Sequence, residues 1–250
     1  MNDNSDVFER FRESFDKING RFHILEQRVP MELQMEYFKC SERIRKGKMK
    51  MTDDKYEFYT RTLSDEKTTV EHKKMALSAL ASSNEIRAYR VLENYVRHAD
   101  PDVTDWASMA LMESRISLES ELLEEKQVYI STGLGGKGER LRFYTLILAT
   151  EYRPFQDYER QVIEREFAFY LSKAGCEIER LSIEDVYVEL IFLAPISTDL
   201  KAMVENVILE CNQYGNFLSG IYTITNVKEP SADEIAKIIN EKYGNHKTSH

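Results

Sequence analysis

The hydrophobic pattern of this chain changes from helical to extended near Gln127, and that change constrains the fold more than any other feature. Upstream of it, apolar residues recur at the three- and four-residue spacing of amphipathic helices, as in Ile86–Val96. Downstream, continuous apolar runs such as Leu141–Ala149 are typical of buried strands. The sequence therefore predicts an α+β protein with a helical domain over residues 1–125, an α/β domain over 126–243 and a mobile polar tail over 244–250.

The helical domain is predicted to begin with an amphipathic helix, a loop to Pro30 and two more helices, over residues 5–18, 31–46 and 53–63. A further helix is expected to start after the cap Ser64-Asp65 and to run to about Ser82. Asn84 is expected to cap the next helix. Asp100-Pro101-Asp102 then ends that helix and starts another, because proline is tolerated in the first helical turn.

A block of small and apolar residues occurs twice, since Ala76–Leu80 reads Ala-Leu-Ser-Ala-Leu and Ala107–Leu111, 31 residues later, reads Ala-Ser-Met-Ala-Leu. Alanines let helices approach closely, so a fixed period of this size is typical of stacked helical hairpins. Residues 66–125 resemble HEAT-type repeats, in which a turn such as Asp100–Val103 precedes an alanine-rich helix. The resemblance implies a helical solenoid, and an irregular helical bundle with a chance repeat is the alternative.

The second domain is predicted to contain strands over 141–149, 176–182, 186–193 and 221–227, and helices over 157–174, 198–212 and 231–243. This β-α-β-β-α-β order is that of ferredoxin-like folds. A strand over 127–131 is expected to extend an edge of their sheet as a hairpin.

The same order of elements resembles the single-strand nuclease fold of small transposases. Those enzymes need two histidines separated by one hydrophobic residue to hold a metal ion, and Tyr187-Val188-Glu189 stands at the comparable position here. We therefore expect the shared topology without that nuclease activity.

The net charge of −9 lies mainly in the second part, where residues 101–250 carry 25 acidic and 15 basic side chains. Such a domain repels a phosphate backbone, so nucleic acid is not expected as a partner. Cys40, Cys176 and Cys211 are too few and too dispersed for a disulfide framework, and the histidines show no metal-ligand spacing. We expect reduced thiols, no metal site and no cofactor. No apolar run resembles a signal peptide or a membrane span, which favours the cytoplasm.

A glycine-rich turn is the first candidate for a ligand site, and its residues are Gly133, Gly135, Gly136, Lys137 and Gly138. Such a turn can wrap backbone amides around an anion, and Lys137 adds a positive charge, which points to phosphate or a nucleotide. Phosphate-binding loops usually open onto a helix N-terminus, whereas a strand follows here. A hairpin turn that needs positive backbone angles is therefore the alternative.

The leading functional hypothesis is a non-enzymatic scaffold or adaptor whose helical repeats bind another protein, as the HEAT-type resemblance implies. Its candidate contact residues are the aromatic side chains Tyr89, Tyr95 and Trp106 and the basic residues Arg43, Arg45 and Lys46, with Lys48 and Lys50 beside them. The alternative is a sensor of phosphate or a nucleotide at Gly133–Gly138. A third hypothesis is an enzyme with dispersed site residues. Homodimerisation through an edge strand or the end of the helical stack stays open.

Overall fold

A computed structural model describes residues 22–47, 50–125 and 127–244. They form two compact units, and the chain passes from the first to the second after Gly138. The units combine helices and strands, which confirms the predicted α+β class. The helix predicted over residues 5–18, and the tail beyond Gly244, lie outside the described residues. Within the described ranges, no helix has the length and apolar character needed to span a membrane.

The described part of the first unit contains a short strand, β1 (Phe22–Ile24), and the helices α1 (Met31–Lys46), α2 (Asp53–Ser64), α3 (Val70–Ala81), α4 (Ile86–Val96) and α5 (Thr104–Leu123). Two short strands follow, β2 (Val128–Ile130) and β3 (Gly136–Lys137). A single turn of 3-10 helix over Pro101–Val103 leads into α5.

Two predicted helix caps in this unit are wrong. Ser64 ends α2, and α3 begins later because the Thr69 side chain accepts a hydrogen bond from the His72 amide at 3.4 Å. Asn84 does not cap α4, since it has a φ of 57° in the preceding turn and Glu85 takes the cap position. Both differences lie between polar residues at most five positions apart, and the pattern of apolar residues does not decide between them.

The two alanine-leucine blocks lie in the core of this unit. Ala76–Leu80 belongs to α3, Ala107–Leu111 belongs to α5, and the two helices pack against each other. Trp106 joins them, because its indole Nε1 donates hydrogen bonds to the Lys74 carbonyl at 3.0 Å and to Ser78 Oγ at 2.9 Å. Helix α4 follows the first block, whereas a strand follows the second.

The strands β1 and β2 form a parallel pair, with Phe22 opposite Val128 and Ile24 opposite Ile130. The Leu25 amide extends the pairing by donating to the Ile130 carbonyl at 3.0 Å. The prediction that residues 127–131 extend the sheet of the α/β domain is therefore wrong. This pairing also moves the boundary from residue 125 to Gly138, because β2 is held by a segment about 100 residues upstream.

The second unit comprises β4 (Arg140–Ala149), α6 (Asp157–Lys173), β5 (Glu177–Ile183), β6 (Tyr187–Pro195), α7 (Leu200–Asn212), β7 (Leu218–Thr225) and α8 (Ala232–Gly244). Within this unit the strand order is β7-β4-β6-β5, and every neighbouring pair is antiparallel. Phe143 faces Phe192 at the centre of the sheet, with ring centroids 5.8 Å apart. The apolar strands β4 and β6 are central, and β5 and β7 are the edges.

Side-chain caps and terminal contacts hold the helices of this unit. Glu159, in the first turn of α6, accepts a hydrogen bond from the Gln156 amide at 2.8 Å, which completes a capping box. Asp199 Oδ1 accepts from the Ala202 amide at 3.0 Å at the start of α7. Tyr243, in the last turn of α8, donates to the Ala149 carbonyl at 2.6 Å. The chain that follows β7 is thus fastened to the end of β4.

Candidate functional site

The glycine-rich segment predicted to bind phosphate is a largely buried turn. Gly133, Gly135 and Gly136 are buried, and Lys137 and Gly138 are exposed. The Gly136 amide donates to the Glu26 carbonyl at 3.3 Å, and the Gly138 amide donates to the Glu26 carboxylate at 2.9 Å. Because these amides are engaged and a carboxylate lies among them, the segment is not an open anion-binding loop. It matches the alternative, a turn with positive φ angles of 67° at Gly135 and 60° at Gly138.

The aromatic residues predicted to contact a partner lie mostly inside the first unit. Trp106 is only 4% exposed, and its ring packs edge-on against Tyr37 with centroids 5.2 Å apart. Tyr89 and Tyr95 are half-buried on α4. Trp106 is therefore a core residue whose burial removes it from the candidate binding residues.

The predicted basic residues Arg43, Arg45 and Lys46 are exposed in the last turn of α1. Cations at this end of a helix complement its dipole. Lys46 Nζ lies 2.8 Å from Glu42, and Arg45 Nε lies 3.7 Å from Glu113. Two of the three basic residues thus have acidic neighbours within the unit. Their role in stabilising the end of α1 explains their presence without a binding partner.

A buried polar cluster links α1 to α5. The Glu113 carboxylate accepts hydrogen bonds from Tyr37 Oη and Ser41 Oγ, each at 2.5 Å. Burial, together with the nearby Glu113 charge, raises the pKa of Tyr37 well above its usual value. Tyr37 and Ser41 are fully buried, so the cluster cross-links the helices and does not face a substrate. The described ranges also hold no group of three or more side chains that could bind a metal ion.

The two edge strands of the second unit differ in charge. β5 carries three exposed charged side chains in seven residues, Glu177, Glu179 and Arg180. β7 carries none in eight residues, and it lies in residues 211–227, the longest stretch of the chain without Asp, Glu, Lys or Arg. Charges on an edge strand hinder pairing with other chains, and natural sheets use them for that purpose. β7 is therefore the edge strand without charged side chains, and its pairing with β4 is irregular between Leu218 and Tyr222.

The outer side of β7 also exposes apolar side chains. Ile221 is 59% exposed, and Val227, just beyond the strand, is 49% exposed. Within the described part of the chain, β7 pairs with β4 and with no other strand. At Leu218 the main chain is occupied, because the Asn212 side chain accepts from its N–H at 2.9 Å and donates to its carbonyl at 2.8 Å.

An open groove of about 430 Å³ lies between β7 and α7. Its lining includes apolar and polar side chains, among them Ile208, Leu209, Tyr222, Thr150 and Asn216. Thr150 Oγ1 is buried and lacks a hydrogen-bond partner in the structure as described. Tyr222 Oη donates to Glu205 at 3.2 Å, and burial, with a contribution from Glu205, raises the pKa of Tyr222 to about 12. The phenol therefore stays protonated near neutral pH and keeps donating that bond.

No protein-family model matches the chain, and no curated protein of similar sequence was found. The chain is similar to a putative transposase from Deinococcus radiodurans R1, with 15% identity and a TM-score of 0.38 over 43% of this chain and 94% of that one. It is also similar to a REP-associated tyrosine transposase bound to a REP hairpin, with 9% identity and a TM-score of 0.32, over 43% of this chain and 68% of that one. The C-terminal domain of the MgtC protein from Mycobacterium tuberculosis is a third similar structure, with 11% identity and a TM-score of 0.28, over 38% of this chain and 98% of that one. Similarities at this level assign no activity to the chain.

The prediction of a non-enzymatic scaffold or adaptor that binds through helical repeats is wrong. Its central aromatic contact residue, Trp106, is a core residue that is only 4% exposed. Its basic contact residues Arg45 and Lys46 lie beside acidic side chains of the same unit. The alternative, phosphate or nucleotide sensing at Gly133–Gly138, is also corrected, because Glu26 occupies amides that an anion would need.

Sequence patterns place a strand near residues 221–227 but do not show that it is an edge. The signal that marks it is the uncharged stretch 211–227 in a chain in which 31% of the residues are charged. Buried central strands such as Leu141–Ala149 also lack charges over much of their length. Absence of charge therefore indicates a binding edge only after the strand order is known.

Proposed function

We propose that the second unit binds an extended, uncharged polypeptide segment by adding it as a strand to the outer side of β7. The observation that carries this proposal is the contrast between β5, with three exposed charges, and β7, with none. In strand addition, main-chain hydrogen bonds supply affinity and side-chain pockets supply selectivity. The site lies in the second unit and uses none of the helices of the first unit.

The groove between β7 and α7 supports this mode of binding. Alternate side chains of a strand point to the same side, so every second side chain of an added strand would enter the groove. There it would meet the apolar side chains of Ile208 and Leu209. The buried hydroxyl of Thr150 offers a hydrogen bond that no described residue takes up. The groove thus combines apolar contact with an unused polar group, as peptide-binding grooves do.

Asn212 sets one end of the segment that can accept a strand. Its side chain occupies the main chain of Leu218, and the Ile221 amide donates to Ser219 Oγ at 3.1 Å. The strand ends at Thr225, and Tyr222–Thr225 is the part that pairs with β4 in regular register. At roughly 3.3 Å per residue, these four residues span about 13 Å, which is within the usual range of strand lengths. The edge can therefore accept a short added strand.

A labelled peptide with the sequence of residues 217–227 tests the proposal by fluorescence anisotropy. We expect binding to the wild type, and binding roughly tenfold weaker or worse to Ile221→Lys, because lysine on an edge strand hinders pairing. The matched control is Phe169→Lys, on α6, where the replaced side chain is 58% exposed. Absence of binding to the wild type, or equal binding to Ile221→Lys, rejects strand addition.

The arrangement of each unit supports a further assignment that we propose. The β-α-β-β-α-β order with strand order β7-β4-β6-β5 supports a ferredoxin-like fold for the second unit. The contact between α3 and α5, with α4 following α3, supports one HEAT-like helical pair and the first helix of another. The three cysteines are buried and unpaired, which supports a reducing compartment such as the cytoplasm.

A further inference from the structure

We propose that Glu205 determines which side chains of an added segment the groove between β7 and α7 accepts. Its carboxylate accepts a hydrogen bond from a neutral donor, such as the primary amide of glutamine, and repels an acidic side chain. Of the described residues that line the groove, Glu205 alone carries a charge near neutral pH. This selectivity rests on the proposed function, because it concerns the side chains of a segment that pairs with β7.

Glu205 lies on the groove side of α7 together with an apolar neighbour. Glu205 and Leu209 are four residues apart in the helix, so their side chains lie one above the other on the same face. Both line the groove and both are exposed, Leu209 by 62%. A side chain that enters the groove can therefore rest its apolar stem on Leu209 and reach the carboxylate with its end.

The Glu205 carboxylate retains capacity to accept hydrogen bonds. Tyr222 Oη donates to its Oε1 at 3.2 Å. An ionised carboxylate has two oxygens with about four acceptor positions, so one such bond leaves most of them open. Lys201 lies one turn earlier on the same helix, but in the part of the chain that the structure describes neither it nor another cation forms an ion pair with Glu205. The carboxylate therefore presents an uncompensated charge to the groove.

An acidic side chain in the groove would meet repulsion from two sources. Residues 139–244 carry 18 acidic and 11 basic side chains, a difference of −7, and this net charge acts on every position of a bound segment. Glu205 adds to it only where a side chain enters the groove. Like charges that meet in an interface weaken binding, whereas an amide N–H forms a charge-assisted bond with a carboxylate. The effect of Glu205 should therefore depend on position in the segment.

Glutamine suits the groove through both parts of its amide. Its NH₂ group can donate to Glu205, and its carbonyl oxygen is then left to accept a hydrogen bond. The Thr150 hydroxyl in the same groove is buried and has no partner among the described residues. A glutamate side chain of nearly the same shape offers no N–H to Glu205. Glutamine and glutamate thus differ in the group that the groove is proposed to recognise.

Pairs of labelled peptides that differ only in glutamine or glutamate test the proposal by fluorescence anisotropy. The parent peptide has the sequence of residues 217–227, and each of its positions in turn carries glutamine or glutamate. Alternate side chains of a strand point to one side, so every second position should face the groove. There we expect glutamine to bind roughly fivefold more tightly than glutamate. At the positions between, where the net charge of the unit acts alone, the ratio should stay below about twofold.

The variant Glu205→Gln and its matched control Glu164→Gln identify the source of the preference. Glu205→Gln removes the charge at an exposed position and leaves an oxygen for Tyr222, and it should lower the ratio at groove-facing positions to that of the positions between. Glu164 is exposed on α6, outside the groove lining, so Glu164→Gln should leave the ratio unchanged. Salt at about 1 M should lower the ratio in the wild type, because it screens charges beyond roughly 3 Å.

The same peptides separate failure of this selectivity from failure of the proposed function. A wild type that binds none of the peptides rejects both. A wild type that binds them without a preference that depends on position, or with a preference that Glu205→Gln retains, keeps strand addition and overturns the role of Glu205. A preference that Glu205→Gln abolishes and Glu164→Gln retains supports both.

Discussion

Replacing Gly135 with alanine tests whether the glycine-rich turn is held against the backbone of Glu26 and Gln27. Gly135 has a φ of 67°, and an added Cβ would lie 2.5 Å from the carbonyl oxygens of both residues. Gly138 has a φ of 60°, and its added Cβ would meet nothing within 4 Å. The two substitutions therefore share the strain of a left-handed backbone, and only the first adds a steric clash.

The expected losses follow from these contacts. A left-handed conformation costs a residue with a side chain about 1 kcal/mol, which applies to both variants. The clash at Gly135 forces the chain at Glu26 away and breaks the bonds from Glu26 to the Gly136 and Gly138 amides, worth about 1 kcal/mol each. We expect Gly135→Ala to lower the free energy of unfolding by about 3 kcal/mol, and Gly138→Ala by about 1 kcal/mol.

Urea unfolding followed by tryptophan fluorescence measures the difference. Trp106 is the single tryptophan of the chain and lies in the core of the first unit, so its emission reports on that unit. With a slope of roughly 2 kcal/mol per molar urea, the two midpoints should differ by about 1 M. Equal losses in the two variants, or a Gly135→Ala protein as stable as the wild type, would refute the packing of this turn.

Two further predictions concern the second unit, with unfolding followed by circular dichroism. A hydrogen bond from Arg153 lowers the pKa of Glu159 in the folded protein. The ionised carboxylate therefore stabilises the fold fully above the ordinary glutamate pKa of about 4.3. That stabilisation is lost as the pH falls through the lowered pKa of the folded state. Glu159→Gln should cost about 2 kcal/mol at pH 7 and much less at pH 3, and an equal cost at both contradicts the assignment. Asn212→Ala removes both hydrogen bonds to the main chain of Leu218. It should lower the free energy of unfolding by about 2 kcal/mol and speed hydrogen exchange of the Leu218 amide. Unchanged exchange would show that these bonds do not hold β7.

Local sequence patterns predicted most of the individual helices and strands. The helices over 31–46 and 53–63 and the strand over 141–149 were placed to within a residue, because each has a long apolar pattern of one period. The errors fall where the deciding contact is distant or where neighbouring polar residues compete. Residues 128–130 are too few to show which strand they pair with. The caps Thr69 and Glu85 each lie within five residues of the polar residue that was predicted instead, Ser64 and Asn84.

The candidate site depended on tertiary structure more than the fold did. The glycines at 133–138 have the composition of an anion-binding loop, and the carbonyls and carboxylate of the segment near Glu26, about 110 residues away, decide otherwise. Trp106 is a residue type that often anchors a binding partner, but its hydrogen bond to the Lys74 carbonyl shows that it belongs to the core. In both cases the residue type allowed two environments, and a distant partner selected one.

The sequence by itself determined the α+β class, the change from helices to strands near Gln127 and the absence of charge in 211–227, because composition and period are local properties. Only the tertiary structure decided that β2 belongs with β1 and that β7 is an edge. Pairing joins residues far apart in the chain, and main-chain hydrogen bonds form between any two strands with little regard to side chain. Which strands meet, and which edge stays open, is therefore set by the packing of the whole unit.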